Sequence, residues 1–345
     1  MILLASCQPG LEAILGAEIG ARGLGSGDRV QPGLWRARRR LDAGDLGDAL
    51  RLRTADDLYV ELLAGAAPAL ADRLRAAPFP LPAEALALQG EILRRAGRRP
   101  AGRVKATCFA DGRSGLDRRD LQRCMEASLL AARPGWRLEE TRPDAEFVAF
   151  VSAGQARLAL RLTDPSFRHR GYGRAPAALS PTVAAALVAL AEPAADDRFL
   201  DPCCGGGTIL LERAQAGVPY LALIGGDASE QALEVAQENF GARHRPWSLQ
   251  RWDARRLPLP AGSVSRVVTN LPFGVQSPAA GGVSAFATAC LAEVGRVLAP
   301  AGRAVLLWPA TEPAIVPGSL CPERATTFSL VGQRVSARFY RRAPG

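Results

Sequence analysis

Four consecutive residues, Asn270, Leu271, Pro272 and Phe273, combine the groups needed to hold a planar exocyclic amine. The side-chain oxygen of Asn270 and the main-chain carbonyl of Leu271 can accept both N–H bonds of such an amine. Pro272 fixes the turn, and Phe273 offers a face on which a nucleobase can stack. Because the amine's lone pair is delocalised into its ring, methylation requires this kind of orientation. Taken alone, the pattern also fits a plain β-turn ending at Gly274, and the surrounding elements decide between the two interpretations.

A glycine-rich segment between a predicted strand and a predicted helix is the second candidate site. It runs Asp201-Pro-Cys203-Cys-Gly205-Gly206-Gly207-Thr208. Consecutive glycines let a ligand approach the main chain closely, and the following helix presents free N–H groups at its start. Such turns occur in NAD, FAD and nucleotide folds as well. The spacing is neither GxGxxG nor that of a P-loop, which disfavours NAD and ATP.

Two further acidic residues stand where we expect neighbouring strands to end. Asp227, followed by Ala228, is placed to accept hydrogen bonds from both hydroxyls of a ribose, and Asp253, followed by Ala254, from an adenine amine. Each aspartate could instead cap the next helix. With Asp201, they give an acidic residue at each of three strand ends, and this register favours a ligand that contains a nucleoside.

The elements that must position these residues alternate between strand and helix after residue 165. A helix is predicted over 181–191. Strands are predicted over 198–201, 221–227, 248–253, 264–270, 303–308, 326–331 and 336–341. Five βα units and a terminal hairpin predict a doubly wound α/β sheet, mostly parallel with an antiparallel last strand. Ligands of such sheets bind beyond the carboxyl ends of the strands, where the strand order reverses.

The first half of the chain has a different, α+β pattern. We predict a strand, a turn at Gln8-Pro9-Gly10 and a helix over 1–24, then a loop with one strand near Trp35 over 25–45. Helices are predicted over 45–75, 83–96 and from Asp117 to Leu130, a strand over 103–109, and a hairpin of 146–151 with 157–162. The two halves therefore predict separate domains.

The composition of the 345 residues, with 48% hydrophobic and 22% charged residues, predicts a soluble globular protein. The chain has no apolar run long enough for a membrane and no signal-peptide pattern, so we expect a cytoplasmic protein without a membrane partner. The net charge of +9, carried almost entirely by arginine, suits nucleic-acid binding and equally a GC-rich genome.

The seven cysteines form no CxxC pair, and only two histidines are present, so we expect reduced thiols and no metal site. Cys203 and Cys204 could suggest a nucleophile pair. Amine methylation needs no attack on a ring carbon, and we interpret both as small packing residues.

Together, these motifs resemble those of a known protein family. Residues 175–345 resemble a class I S-adenosylmethionine (SAM) methyltransferase with a Rossmann-like sheet, and the whole chain resembles the THUMP-domain guanine-N2 methyltransferases of RNA. Three further segments support it, namely Leu3-Leu-Ala-Ser-Cys-Gln-Pro-Gly-Leu-Glu-Ala-Ile-Leu15, residues 103–162, and Arg168-His-Arg-Gly-Tyr172 with Ala177-Ala-Leu-Ser-Pro181. The resemblance implies a ferredoxin-like domain (1–55), a THUMP RNA-binding domain (56–162), a linker (163–180) and a catalytic domain (181–345).

The resemblance also implies SAM as the cofactor and a catalytic loop over Asn270, Leu271, Pro272 and Phe273. Asp201 and the glycines would border the methionine end, Asp227 the ribose, and Asp253 the adenine. The full set implied for SAM is Ser180, Pro181, Asp201, Cys203, Gly205, Gly206, Gly207, Thr208, Asp227, Ala228, Asp253, Ala254 and Asn270. Cys203, Gly206 and Leu271 depart from the family pattern, which has Asp-Pro-x-Cys-Gly-Ser-Gly-Thr and commonly a proline in place of Leu271. Glycine and a main-chain carbonyl supply the same functional groups.

The leading hypothesis is a monomeric tRNA guanine-N2 methyltransferase acting at position 6 of the acceptor stem. Three alternatives stay open. The chain could methylate guanine in rRNA or the N6 amine of adenine in DNA, because Asn-x-Pro-Phe serves both amines. It could also be an RNA-binding protein with an inactive methyltransferase fold, although Asp227, Asp253 and Asn270 are all in place.

Overall fold

The computed structural model describes residues 1–42, 44–111, 117–164, 166–173, 178–241, 247–272, 283–312, 315–330 and 332–343. Contacts group the chain into two compact units. Residues 1–7 with 15–167 form the first unit, and residues 8–14 with 168–345 form the second. In the part of the chain that is described, no helix is both long and apolar enough to cross a bilayer.

The first unit contains one sheet of eight strands, ordered β2-β3-β1-β4-β8-β7-β5-β6. The elements are β1 (Ile2–Ser6), α1 (Glu12–Ala21), β2 (Gly27–Gln31), β3 (Leu34–Arg40), α2 (Leu46–Ala49), β4 (Asp57–Ala66), α3 (Ala67–Ala76), α4 (Ala83–Arg95), β5 (Arg103–Ala110), α5 (Arg118–Ala132), β6 (Arg137–Leu138), β7 (Ala145–Ser152), β8 (Gln155–Arg161) and α6 (Ser166–His169). Helix α3 packs on β4, and α5 packs on β5.

Most predicted elements of the first half are confirmed, including the helix that Asp117 caps through the main-chain N–H of Arg119. The helix predicted over 45–75 is wrong in its middle, where β4 pairs with β1 and β8. Tyr59 and Val60 favour a half-buried strand, and pairing with distant residues overrides the local helical pattern. A second strand, β2, also lies in the predicted loop over 25–45.

Strands from both sides of the predicted boundary between residues 55 and 56 pair in this one sheet. The ferredoxin-like and THUMP assignments of the two segments stay predictions.

The second unit contains a sheet of seven strands in the order β11-β10-β9-β12-β13-β15-β14. Its elements are α7 (Pro181–Leu190), β9 (Arg198–Asp201), α8 (Thr208–Ala214), β10 (Ala222–Asp227), α9 (Glu230–Phe240), β11 (Trp247–Arg251), β12 (Val264–Asn270), α10 (Val283–Val297), β13 (Leu298–Pro309), β14 (Leu320–Leu330) and β15 (Gln333–Arg342). Strands β9 to β13 run parallel, and β15 lies antiparallel between β13 and β14. The predicted doubly wound sheet with an antiparallel last strand is confirmed.

The expectation of five βα units is wrong, because the fully described connection 252–263 between β11 and β12 contains turns and no helix. Pro258 and Pro260 each lack the N–H that a helix interior requires. Trp252, Ala254 and Leu257 of this connection are buried, so it packs its own side chains into the core.

An arginine at the centre of the second unit fastens the first βα unit. Arg213 of α8 is fully buried and donates hydrogen bonds to the carbonyls of Ala194, Val218 and Pro219 at 2.7–2.8 Å. Its Nη2 also lies 3.2 Å from Oδ2 of the equally buried Asp197. The guanidinium therefore satisfies carbonyls of the loops that precede β9 and β10, and it neutralises a carboxylate inside the core.

Replacing Arg213→Met should destabilise the chain by about 3–5 kcal/mol, because the buried Asp197 would lose the guanidinium 3.2 Å away and keep only that of Arg266, at 3.8 Å. Urea unfolding followed by circular dichroism measures the change. The control Arg75→Met removes an exposed arginine paired with Asp72 and should cost less than about 1 kcal/mol. Equal losses in both variants would contradict the assigned role of Arg213.

Candidate cofactor and amine site

The predicted site residues lie at one edge of the seven-stranded sheet. Strands β9, β10, β11 and β12 are mutually parallel, so their carboxyl ends meet at the same edge. From β9 the chain proceeds outward through β10 to β11, then returns to β12 on the other side of β9. Asp201 ends β9 and Asn270 ends β12, so these two residues flank the point where strand order reverses, which is where such sheets bind ligands.

Asp227 connects the ends of β9 and β10. Its Oδ2 accepts the main-chain N–H of Gly205 at 2.9 Å, and its Oδ1 accepts that of Ser229 at 2.9 Å. Gly207 has φ +82°, a left-handed conformation that glycine adopts without strain, and begins α8 as its N-cap. A carboxylate oxygen has more than one lone pair, so both oxygens keep the capacity to accept ribose hydroxyls.

Asp201 is buried at 1% exposure, with Oδ1 accepting the N–H of Cys203 at 3.2 Å. Burial raises the pKa of Asp201 to about 7, and the nearby negative charge of Asp227 acts in the same direction. At neutral pH a substantial share of the molecules therefore carry the proton on this carboxyl.

The thiols of the glycine-rich turn lie in a similarly apolar setting. A hydrogen bond with the Cys290 thiol and burial raise the pKa of Cys203, and burial raises that of Cys204. Because the thiolate is the nucleophilic form, this environment favours packing roles for both cysteines.

The third strand ends at Arg251, and Asp253 lies two residues beyond it, so the predicted strand end is wrong by two residues. Asp253 forms a bidentate ion pair with Arg255, whose Nη2 lies 2.7 Å from Oδ2. Hydrogen bonding from Arg255 lowers the pKa of Asp253 and keeps it an acceptor. Ala254 is buried beneath this pair.

The side chain of Asn270 presents a polar atom that is available to a ligand. Its Oδ1 is buried and has no hydrogen-bond partner among the described residues. Leu271 packs its side chain into the hydrophobic core of this unit, so only its main chain is available to a ligand. Pro272 is half-buried, and Phe273 lies outside the described residues.

The remaining predicted residues are at helix starts near the same edge. Ser180 is the N-cap of α7, its hydroxyl 2.8 Å from that of Thr182, and Pro181 is buried in the first turn. Thr208 begins α8, and Ala228 accepts a hydrogen bond from Arg251 through its carbonyl.

Comparisons with known proteins agree with this architecture. Residues 168–314 match the family model of the RMKL-like methyltransferase domain, UPF0020. The chain is 31% identical over 329 residues to the tRNA (guanine(6)-N2)-methyltransferase of Thermus thermophilus, a match covering 93% of this chain and 92% of that protein. The crystal structure of TrmN from Thermus thermophilus has a TM-score of 0.81 and 25% identity, covering 99% of both chains.

The chain belongs to the family of the tRNA (guanine-N2)-methyltransferases. A shorter match, 31% identical over 187 residues, relates it to the mouse tRNA (guanine(6)-N(2))-methyltransferase THUMP3. That match covers 50% of this chain and 37% of the mouse protein, so the chain spans well under half of that relative.

The residues at this edge of the sheet fit SAM, the cofactor that the resemblance implies. The position that a Cβ of Gly205 would occupy has no heavy atom within 4 Å, which leaves space beside the loop, and Asp227 borders it. Asn270, whose buried Oδ1 has no partner within the described ranges, ends β12 on the other side of the strand reversal. A nucleoside-containing donor and an amine acceptor can therefore meet at this edge.

Sequence reasoning missed Trp252, which supports the ends of both β9 and β10. Its indole N–H donates to the carbonyl of Pro202 at 2.9 Å, and its main-chain N–H donates to that of Asp227 at 3.2 Å. A Cβ on Gly226 would lie 2.1 Å from its ring. The pair Gly225-Gly226 directly before Asp227 was the available signal, since it marks a strand on which a large side chain lies.

The buried carboxyl of Asp201 predicts that the stability of the folded chain depends on pH. In the unfolded chain an aspartate has a pKa near 3.9, so between about pH 4 and 7 the folded state binds more protons and stability falls as the pH rises. Asp201→Asn cannot ionise and still accepts the Cys203 N–H. We expect it to be more stable than the parent by roughly 1–3 kcal/mol at pH 8, with the gain shrinking towards pH 4.

Urea unfolding at several pH values without cofactor measures this. The control Asp253→Asn removes a carboxylate whose pKa is lowered, so its effect on stability should have the opposite sign. A stability difference for Asp201→Asn that is constant from pH 5 to pH 8 would contradict the argument.

Proposed function

We propose that this protein transfers a methyl group from SAM to the N2 amine of guanosine 6 in the acceptor stem of tRNA. The observation that carries the proposal is the buried Oδ1 of Asn270, which has no hydrogen-bond partner in the part of the chain that the structure describes. It lies at the strand reversal, beside the loop that Asp227 holds. The Thermus thermophilus relative, matched over nearly its whole length, is named for this position.

The chemistry requires that the amine be oriented. When bound, SAM supplies an electrophilic methyl group on a sulfonium centre. Asn270 Oδ1 and the carbonyl of Leu271 accept the two N–H bonds, which directs the nitrogen lone pair towards the donor. In the transfer the methyl–sulfur bond of SAM would break, with S-adenosylhomocysteine as the leaving group, while the N–C bond formed. The same two oxygens would stabilise the positive charge that develops on the nitrogen until one proton left to solvent.

The substrate class follows from charge and family. Arginine is abundant in the first half of the chain, and neutralising phosphates with arginine is the main source of affinity for RNA. We assign RNA binding to residues 1–162, with the THUMP segment over 56–162. The protein is proposed to be a cytoplasmic monomer.

The test is methylation of unmodified tRNA transcripts with labelled SAM, followed by mass spectrometry of the nucleosides. N2-methylguanosine that is lost when G6 is replaced by A supports the proposal. N6-methyladenosine from DNA, or methylation of rRNA alone, would replace it with another amine methyltransferase. Cofactor binding without any product would identify an inactive fold.

Asn270→Ala should lower the single-turnover rate of tRNA methylation by about 100-fold or more. Losing a positioned polar group in a site from which water is excluded typically has an effect of this size. Cofactor affinity should barely change, because the amide oxygen is assigned to the base. Phe273→Ala should weaken base positioning, whereas Phe273→Tyr keeps the stacking face. An Asn270→Ala enzyme with nearly the parent rate would refute this mechanism.

Asp227→Asn should weaken SAM binding by about 1.5–3 kcal/mol, because hydrogen bonds to the ribose lose their charged acceptor. Calorimetry measures the affinity. The control Glu230→Gln removes one negative charge three residues away, from a side chain exposed beside Arg251, and should leave the affinity within about twofold. If Asp227→Asn bound SAM as tightly as the parent, the ribose assignment would be wrong.

A further inference from the structure

The side chain of Asn239, on α9, uses its oxygen and both amide protons to bind the main chain of two separate segments. Its Oδ1 accepts the N–H of Gly173 at 2.8 Å. Its Nδ2 donates to the carbonyl of Gly173 at 2.9 Å and to the carbonyl of Gly206 at 2.9 Å. An amide nitrogen has two protons, so both donors are committed. The amide therefore links Gly173 to the glycine-rich turn.

Gly173 ends a segment, residues 168–173, that we call the strap. Arg170 of the strap has φ +56°, a left-handed conformation that is costly for a residue with a side chain. Its Nε lies 3.7 Å from Oε1 of the buried Glu212 on α8. The Tyr172 hydroxyl donates to the same Glu212 oxygen and accepts from Gln215 at 2.8 Å. Side-chain contacts to α8 thus maintain a strained backbone, as functional segments often require.

Asn239 also fixes one peptide plane of the glycine-rich turn. In a trans peptide the carbonyl and the next N–H point in opposite directions. The Gly206 carbonyl is held by Asn239, while the N–H of Gly207 donates to the carbonyl of Cys204 at 2.8 Å. The 206–207 peptide is therefore held from both sides, directly before α8 begins and next to Gly205, which Asp227 holds.

We propose that Asn239 is a positioning residue that joins the strap to the glycine-rich turn and so preforms the cofactor site. This inference rests on the proposed function, because it assigns the turn to SAM. Asn239 touches neither the cofactor nor the base; it acts by holding Gly173 and Gly206 in place before the cofactor arrives. Its loss should therefore weaken cofactor binding and leave the methyl-transfer step at saturation almost unchanged.

The surroundings of the Asn239 amide leave little room for a different side chain. A Cβ on Gly173 would lie 3.2 Å from Asn239 Oδ1, so the strap approaches the amide as closely as glycine allows. An aspartate at 239 would keep the acceptor for the Gly173 N–H, but its second oxygen would face the carbonyls of Gly173 and Gly206. Asn239→Asp is therefore a nearly isosteric change that converts two attractive contacts into repulsive ones.

The first experiment uses the intact parent protein and the rarity of asparagine. Only Asn239 and Asn270 occur in the chain, so protein labelled with ¹⁵N-asparagine gives two side-chain amide signals, assigned with Asn239→Asp and Asn270→Asp. We expect the Asn239 side-chain protons to exchange with solvent at least about tenfold more slowly than those of a free amide. Exchange at the free-amide rate would overturn the inference. The rate is measured on the parent protein, and one folded variant is enough to assign the two signals.

The second experiment compares affinity with turnover. Asn239→Asp should raise the Kd of SAM by about tenfold or more, while kcat at saturating SAM stays within about threefold. The matched control is Gln237→Glu, the same amide-to-carboxylate change at an exposed position on α9, which should leave both constants unchanged. Unchanged affinity in Asn239→Asp, or a loss confined to kcat, would overturn the inference.

The two proposals fail differently. If the parent protein bound no SAM, the proposed function would be refuted. The amide-exchange experiment would still test the hydrogen bonds that join Asn239 to Gly173 and Gly206. If the parent bound SAM and methylated tRNA but Asn239→Asp behaved like Gln237→Glu, only the positioning role would be refuted.

Discussion

The rest of the site depends on the hydrogen bonds that the carboxylate of Asp227 accepts. Asp227 ends β10, yet one of its oxygens holds the main chain of Gly205, in the turn that follows the neighbouring strand β9. Parallel pairing places the two strand ends side by side, with Gly225 opposite Asp201. The bond to Asp227, together with that from the N–H of Cys204 to the carbonyl of Gly226, joins the turn after β9 to the end of β10. A carboxylate suits the task because it accepts several hydrogen bonds at once and keeps capacity for a ligand.

The two asparagines of the chain illustrate how polar groups are divided between support and chemistry. Asn239 spends its oxygen and both protons on the main chain, so it is satisfied before any ligand arrives. Asn270 keeps a buried oxygen without a partner among the described residues, which costs free energy in the absence of a ligand. The same side chain thus rigidifies one part of the site and leaves another part ready to bind.

Local patterns predicted much of this fold and site. The glycine-rich turn follows one predicted strand, Asp227 ends the next and Asn270 ends a third, so the alternation of strands and helices was enough to predict that they share one edge. The failures involve distant partners. β4 forms because it pairs with residues up to about a hundred positions away, and Trp252 and Asn239 matter through contacts with Pro202 and Gly173. The hydrophobic periodicity of a sequence predicts which face of a helix or strand a residue occupies. It does not predict which main-chain group the side chain contacts.

The departures from the family pattern show where the chemistry resides. Gly206 replaces a serine of that pattern, and the structure uses this residue through its carbonyl, which Asn239 holds. Leu271 stands where proline is common, and its side chain packs into the hydrophobic core, leaving the carbonyl as the group that can meet an amine. At both positions the functional group belongs to the backbone. Because the sheet edge and its supporting side chains fix that backbone, the side chains at these positions can change without loss of the donors and acceptors that the site requires.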